Sequence, residues 1–304
     1  MEGGYLPAVG QLETRLSQDK RLDASGDTIP RVEDTKSTPE DEATISINDV
    51  AVLRGYSAFE SLRTYDRRPF HLAEHLERLY RSAAMIDLEI PFSREFLAEL
   101  IREAIERNPY KHASIRLLVT GGESEDGIMP ADQPGLAVLI TQLGERDMER
   151  FAQGIKLITS PLQRTTPEAK TSNYVAAIRA LKEAKRHDAS DALFVNEQGH
   201  VLEGTRSNFF IFHDDTLVTP GAGILLGVTR RTVLDLARGR FPIEERPILL
   251  TELPHVDEAF ITSSSKEITP VVRIDDVVIG NGRPGPRTYE LEQRFIEMIE
   301  RGEF

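Results

Sequence analysis

Lys170 stands in the stretch AKTSNY, among small and polar neighbours, with Tyr174 one helical turn onward. A lone lysine is as a rule a solvated surface group. Held at a strand-to-helix turn, the same amine can act as a Schiff-base nucleophile. Further on, EGTRSNFF runs into Ile211 and Phe212. Phe209 to Phe212 read as a buried strand, yet Glu203, Arg206 and Asn208 sit against its mouth. A carboxylate, a guanidinium and an amide are costly to bury without partners, so these three either face water or hold something. GVTRRTVLDLA sets Gly227, Val228 and Thr229 at a helix that starts near Thr229. Free N–H groups and the helix dipole make such a start a phosphate seat, or simply an N-cap. TSSSKE at 262–267, with Ser264 and Ser265, is a hydroxyl-rich turn after a strand. Turns of that kind bind phosphates and also merely close loops.

Other chemistry-bearing patterns carry less. His71 and His75 lie one turn apart in HLAEHLER, a spacing that can hold a metal, but the glutamate of HExxH is missing. The pair reads as two histidines on a helix flank, and no metal is expected. GAGILLG at 221–227 has the spacing GxGxxxG and no strand–Gly–helix unit with a ribose-binding acid. TGGES lacks the GK[ST] of a phosphate-binding P-loop. The chain has 304 residues, 29% of them charged, a net charge of −13 and no cysteine. The charge argues against nonspecific nucleic-acid binding, which needs clustered cations. The missing cysteines exclude disulfides, Cys-ligated zinc and a thiol nucleophile, and fit a reducing cytosol. No apolar stretch approaches the roughly 18 residues of a membrane helix, and the opening MEGGYLPAVG reads as no signal peptide.

The elements that must position these residues follow from periodicity. Residues 13–44 are polar, with little apolar spacing, and read as an extended arm or partly disordered insert. TISIND alternates like a strand, and YSAFESLRTY reads as a second. Leu72, Leu76, Leu79 and Ala83 recur at helical spacing. A further helix has Ser93 as N-cap and an apolar face from Phe96 to Ile105. SIRLLVTGG and LAVLITQL are strands, and the polar joint GERDMERFAQG separates two halves. The second half runs strand, helix (173–187), strand, hairpin, two strands, glycine-rich loop, helix (229–239), two strands and a last helix (286–301). Mixed strands and helices with many hairpins predict the α+β class.

Taken in order, AKTSNY, EGTRSNFF, GVTRR and SSSKEITP resemble the fold-type IV pyridoxal-phosphate enzymes. That family contains branched-chain aminotransferases, D-amino-acid transaminases and aminodeoxychorismate lyases. LRGYSAFESLR and HLERLYRSAA extend the resemblance from about residue 44 to the C-terminus. It implies a small N-terminal α/β domain (45–143), an interdomain loop (144–151) and a larger C-terminal pseudo-barrel domain (152–304); ahead of them stands an N-terminal strand plus polar arm (1–44), and the arm departs from the family, where a short strand pair usually suffices. Pyridoxal 5'-phosphate is the implied cofactor. Lys170 matches the lysine that binds it covalently and carries the proton between the substrate Cα and the cofactor C4′. Glu203 matches the carboxylate bonded to the pyridine nitrogen; an anion there keeps that nitrogen protonated and the ring an electron sink. Tyr174 matches the phenol near O3′, and Arg78 the phosphate-binding arginine, a bidentate clamp. Val228 and Thr229 match donors to the same phosphate, Ser264 and Ser265 close the cup, and Asn208 supports it through water or backbone.

The departures from the family pattern concern the substrate. Members selective for branched-chain L-amino acids usually carry an EGAGEN-like motif with a small residue where Arg206 stands. They, and the well-studied Bacillus-type D-enzymes, carry a Tyr in place of Arg54. The Bacillus-type enzymes bind the substrate carboxylate with an arginine and a histidine after VT, where this chain has Gly121 and Gly122. Arg54 and Arg206 are the implied replacement, which resembles a less common subgroup of D-amino-acid transaminases. Arg116 matches a family arginine near the substrate pocket, suited to the side-chain carboxylate of a dicarboxylic substrate. The expected activity is transamination between D-amino acids (D-alanine, D-glutamate) and 2-oxo acids. Branched-chain L-aminotransfer is the alternative, and aminodeoxychorismate lyase a third. In the family the site is completed by the other subunit, so a cytoplasmic homodimer is implied, with Arg54 reaching in from the neighbour.

Overall fold

In the computed structural model, residues 11–14, 36–39, 42–130, 133–144 and 148–304 are described. The first ten residues and most of the polar arm lie outside them. The contacts divide the chain into two compact units, 1–144 with 169–172 and 145–168 with 173–304. The cut falls after Gly144, and part of the stretch read as an interdomain loop forms a short helix of the second unit, Met148–Gln153. Residues 169–172, which hold Lys170, group with the first unit rather than with their chain neighbours.

The first unit comprises β1 (Gln11–Thr14), β2 (Lys36–Thr38), α1 (Val50–Arg54), β3 (Ser57–Tyr65), β4 (Arg68–Pro69), α2 (Leu72–Ala84), α3 (Arg94–Glu106), β5 (Ala113–Thr120) and β6 (Leu136–Gln142). Its six-stranded antiparallel sheet runs β2-β1-β6-β5-β3-β4. Leu76 and Leu79 of α2 and Leu97, Leu100 and Ile101 of α3 pack with Leu62, Ile115, Leu117 and Val138 of the sheet into one core. Ser93 caps α3, its Oγ accepting from the Phe96 N–H at 3.1 Å. TISIND is not a strand. Asp49 is instead the N-cap of α1, accepting from the Ala51 N–H at 2.7 Å and from the Thr120 hydroxyl at 2.6 Å. The alternation there reflects no buried face, since Ile45 and Ile47 are both exposed.

The second unit comprises α4 (Met148–Gln153), β7 (Ile155–Ser160), α5 (Val175–Arg186), β8 (Asp191–Val195), β9 (His200–Gly204), β10 (Asn208–His213), β11 (Thr216–Thr219), α6 (Val228–Ala237), β12 (Ile243–Glu245), β13 (Ile248–Leu249), a 3-10 turn (Leu250–His255), β14 (Glu258–Ser263), β15 (Glu267–Ile274), β16 (Val277–Val278) and α7 (Pro286–Arg301). β7 and β8 pair in parallel, with α5 as the crossover that parallel pairing requires. The ten-stranded sheet runs β12-β11-β10-β14-β15-β7-β8-β9-β13, with β16 on β15. A further pairing, Asn208 with Glu203, joins β10 back to β9. Six strands therefore close on themselves as a barrel-like ring, and the unit is α+β. Phe209, Ile211, Leu193, Ile261 and Val271 fill its interior. Phe210 stacks on Phe260 at 4.8 Å between centroids, and Phe212 meets Phe241 edge-on at 5.1 Å. Both faces of β10 are thus covered, which is why Phe209–Phe212 read as continuously apolar.

α6 and α7 lie over β14 and against each other. The buried Glu258 anchors α7: it accepts from the Thr288 N–H (2.7 Å) and hydroxyl (2.8 Å) and from the Arg287 N–H (3.1 Å) and Nε (3.0 Å). Carboxylates favour this end of a helix. Glu258→Ala leaves these donors unmatched and should lower stability by roughly 2–4 kcal/mol. The check is a lowered urea midpoint with an unchanged slope.

Candidate active site

In the first unit the chemistry gathers around one buried carboxylate. β3 turns Ala58, Glu60 and Leu62 toward α2, and Phe59, Ser61 and Arg63 away from it, by strand alternation. α2 presents His75, Arg78 and Ser82 on one side, three and four residues apart. Glu60 accepts from Arg78 Nε and Nη2, both at 2.7 Å, and its Oε2 lies 2.8 Å from His75 Nδ1. Burial alone would raise the Glu60 pKa; Arg78 and His75 outweigh it and hold the carboxyl well below the usual range. Burial pushes His75 down, and its bond to Glu60 only partly offsets that. His75 is therefore no mere helix-flank residue: it is buried and spends one ring nitrogen on Glu60. Among the described residues no group of three or more His, Asp or Glu is arranged for a metal.

Lys170 is held by its backbone against the free edge of β3. The Phe59 N–H donates to the Lys170 carbonyl (3.0 Å), the Ser172 N–H to the Ser57 carbonyl (3.3 Å), and the Lys170 N–H to Ser82 Oγ (3.0 Å). Its half-buried side chain places Nζ 4.7 Å from the centre of the Phe59 ring. Arg116 pairs in register with Ser61, so it shares the face of Phe59, away from α2. Arg54 is the exposed last residue of α1. The loop after β5 is drawn in beneath α1. A Cβ on Gly121 would lie 2.4 Å from Val50 and 2.6 Å from Tyr56, and Gly122 has φ +81° with the Gln133 carbonyl 2.2 Å from any Cβ. Only glycine fits at either place.

In the second unit the sequence-predicted residues collect at the ring closure. Glu203 and Asn208 face each other across β9 and β10, and each takes one side of the same residue. The Leu225 N–H donates to Glu203 Oε2 at 3.0 Å, and Asn208 Nδ2 donates to the Leu225 carbonyl at 2.7 Å. Arg164 Nη1 donates to Glu203 Oε1 and to the Pro167 carbonyl, both at 3.0 Å. Gly204 to Ser207 form the connecting turn, closed by a 2.7 Å bond from the Gly204 N–H to the Ser207 carbonyl. Arg206 is exposed at its tip while Thr205, Ser207 and Asn208 are buried. Asn208 also pairs with Thr262, which sets the turn bearing Ser264 and Ser265 alongside. Tyr174 precedes α5 and packs on the cluster of Ala177, Ala180 and Phe194.

The start of α6 fits a phosphate. Gly227 caps it with no side-chain bond, so the first-turn N–H groups of Val228 and Thr229 are not taken by a capping side chain. A Cβ on Gly227 would lie 2.1 Å from Asn208 Oδ1, so Asn208 and the helix start share one close contact. The buried Glu203 carboxylate, held by Arg164 and the Leu225 N–H, is of the kind that keeps a pyridine nitrogen protonated. A cavity of about 640 Å³ adjoins Glu203 on the side of Arg164, His200, Leu202, Gly221 and Arg246; neither the start of α6 nor Ser264 and Ser265 lines it. The donor set therefore fits a phosphorylated pyridine. Sequence reasoning missed Glu60 and Arg164. Glu60 sits on the buried face of an alternating strand, a legible signal for a paired carboxylate; Arg164, in QRTTPEAK, has no local signal.

With this geometry, the comparisons identify the class. Residues 57–274 match the family model for class IV amino-transferases, and the chain belongs to that family. It is 35% identical over 269 residues to the D-alanine aminotransferase of Listeria monocytogenes, covering 86% of this chain and 93% of that protein. It is 33% identical over 265 residues to the branched-chain-amino-acid aminotransferase of Pseudomonas aeruginosa, covering 81% and 84%. The crystal structure of a T.th. branched-chain amino acid aminotransferase with pyridoxamine 5'-phosphate superposes with a TM-score of 0.84 at 29% identity, covering 97% of this chain and 95% of that one. Aminotransferases of this fold use pyridoxal 5'-phosphate.

The first-unit cluster has a pH signature. Burial lowers His75 below the ordinary imidazole value of about 6.5 in the fold. The unfolded chain therefore binds the extra proton first, and stability is lost as pH falls below about 6.5. Comparing urea midpoints at pH 7.5 and 5.5, His75→Gln should show a smaller loss than wild type. An equal loss would assign the acid sensitivity elsewhere.

Proposed function

We propose that this class IV aminotransferase moves amino groups between D-amino acids, of the D-alanine and D-glutamate type, and 2-oxo acids. The observation that carries the stereochemical reading is the pair of exposed arginines, Arg54 and Arg206, for which a hydrophobic L-selective pocket has no use; the glycine pair at 121–122 decides only where a carboxylate clamp cannot stand. Neither position has room for a side chain, so a carboxylate clamp cannot stand after β5. Arg54 and Arg206 are both exposed, and we assign the substrate carboxylate to them. Arg116 is assigned to the second carboxylate of a dicarboxylic substrate.

Pyridoxal phosphate, when bound, supplies the electron sink for charge developing at the substrate Cα. The chain does the rest. Arg78 and the N-terminal turn of α6, with Ser264 and Ser265, would bind the phosphate, and Glu60 fixes the Arg78 guanidinium in one orientation. Glu203 would hold the proton on the ring nitrogen, and Tyr174 would donate to the ring oxygen. Lys170 would anchor the cofactor, and its amine, when released from that linkage, would take the proton from the substrate Cα and return it one atom away. We further propose a cytosolic homodimer in which a second copy supplies Arg54. Exposed Val52, Leu53, Ile128 and Met129 support this, an apolar set more usual in an interface than on a free surface. Among the described residues no helix is long and apolar enough to cross a membrane.

A second reading, a branched-chain L-aminotransferase, is supported by the Pseudomonas relative and the T.th. structure. Half-reactions separate the two. D-alanine should bleach the ~400 nm band of the lysine-bound cofactor much faster than L-leucine; the reverse order would establish the second reading. Arg54→Gln or Arg206→Gln should each cut kcat/KM for D-alanine by about one to two orders of magnitude, with cofactor content unchanged. Borohydride reduction and peptide mapping should label Lys170, and Lys170→Ala should lose the label and nearly all turnover. A label on another lysine would reject the assignment.

A further inference from the structure

A second lysine close to the ring closure is already engaged. Lys266 Nζ donates to Asp191 Oδ2 at 2.7 Å, and Asp191 is fully buried at the start of β8. Asp191 Oδ1 accepts from the Ala192 N–H at 2.9 Å and from the Thr205 hydroxyl. Thr205 is the residue before Arg206, and Lys266 the residue after Ser265. One carboxylate thus spans the turn 204–207 and the turn 263–267. The second turn carries a cost of its own: Glu267 is buried with φ +52°, a left-handed conformation unfavourable for a side-chain-bearing residue. Such strain persists where the surroundings over-determine it. Lys266 contributes two further constraints, its N–H donating to Ser263 Oγ at 3.1 Å and its carbonyl accepting from Thr269 Oγ1 at 2.9 Å.

We propose that Lys266 is a positioning residue whose ammonium, through Asp191 and Thr205, locks the Ser264–Ser265 turn to the turn that presents Arg206. The proposal rests on the reading of those serines as phosphate donors and of Arg206 as a substrate-carboxylate donor. It also accounts for a selectivity problem. A protonated amine committed to a buried carboxylate is no nucleophile, so Lys266 does not compete with Lys170 for the cofactor aldehyde.

The test uses the full-length holoenzyme. Removing one partner of a buried pair destabilises, whereas replacing both with apolar side chains is often neutral. The double variant Lys266→Met/Asp191→Leu is therefore the informative one. It should melt somewhat below wild type, because the Ala192 N–H and the Thr205 hydroxyl lose their acceptor, but still fold; the folded enzyme should release pyridoxal phosphate on dialysis about tenfold faster and show a KM for D-alanine raised about tenfold, with kcat of the fully loaded enzyme changed far less. Thr205→Val, which removes one hydroxyl, should raise KM while leaving cofactor retention intact, and serves if the double variant does not fold. Lys266→Arg should restore much of the cofactor retention. Wild-type retention and KM in the double variant, or wild-type KM in Thr205→Val, would overturn the proposal. Borohydride labelling away from Lys170 would instead indict the reading on which it rests.

Discussion

The second unit depends on a ring that closes through a single residue pair. β10 pairs along its length with β14 and β11, but it meets β9 only where Asn208 faces Glu203. One pairing is a weak seam. It is reinforced from the side, because the two facing side chains bind the N–H and the carbonyl of the same Leu225. The seam thus fixes the approach of the loop that ends in Gly227 and the start of α6. Behind it, Phe209 to Phe212 are fully buried, each contributing roughly 1.5–3 kcal/mol through removal from water. Apolar burial secures the strand, and the polar pair at its mouth is left to hold Leu225.

The first unit solves a related problem with charge. Burying Glu60 without partners would be prohibitive. Arg78 meets it with two parallel donors, and His75 adds a third contact. A buried ion pair of this kind is poor evidence for stability, since desolvation consumes much of its Coulombic gain. What it does secure is orientation: a guanidinium gripped on one edge by a carboxylate can turn only its remaining donors elsewhere. The same helix supplies Ser82, which fixes the backbone of Lys170. Cation, carboxylate and lysine backbone are therefore referenced to one rigid element, α2.

One loop of the first unit is set by what cannot be accommodated. The loop after β5 approaches α1 so closely that positions 121 and 122 admit only glycine. The Val50 N–H donates to the Gly122 carbonyl and the Ser124 N–H to the Asn48 carbonyl, so the contact is a bonded one and not a chance proximity.

Much was legible in the linear sequence because it is governed by local chemistry. Helical and strand periodicity and the apolar run Phe209–Phe212 of β10 follow from side chains that must bury one face or both, and the Ser93 cap from a helix start that needs an acceptor. The ordered motifs around Lys170, Glu203 and Gly227 carried the family resemblance. Local pattern misled at TISIND, where alternation met no core to bury it, and at His75, where helical spacing alone could not reveal a carboxylate on another element. Arg164 beside Glu203, the Leu225 bridge, the Asp191–Lys266 pair and the grouping of Lys170 with the first unit were decided only by tertiary structure. Each joins residues distant along the chain, and no residue's own neighbours encode the partner that folding brings within a hydrogen bond's length of it.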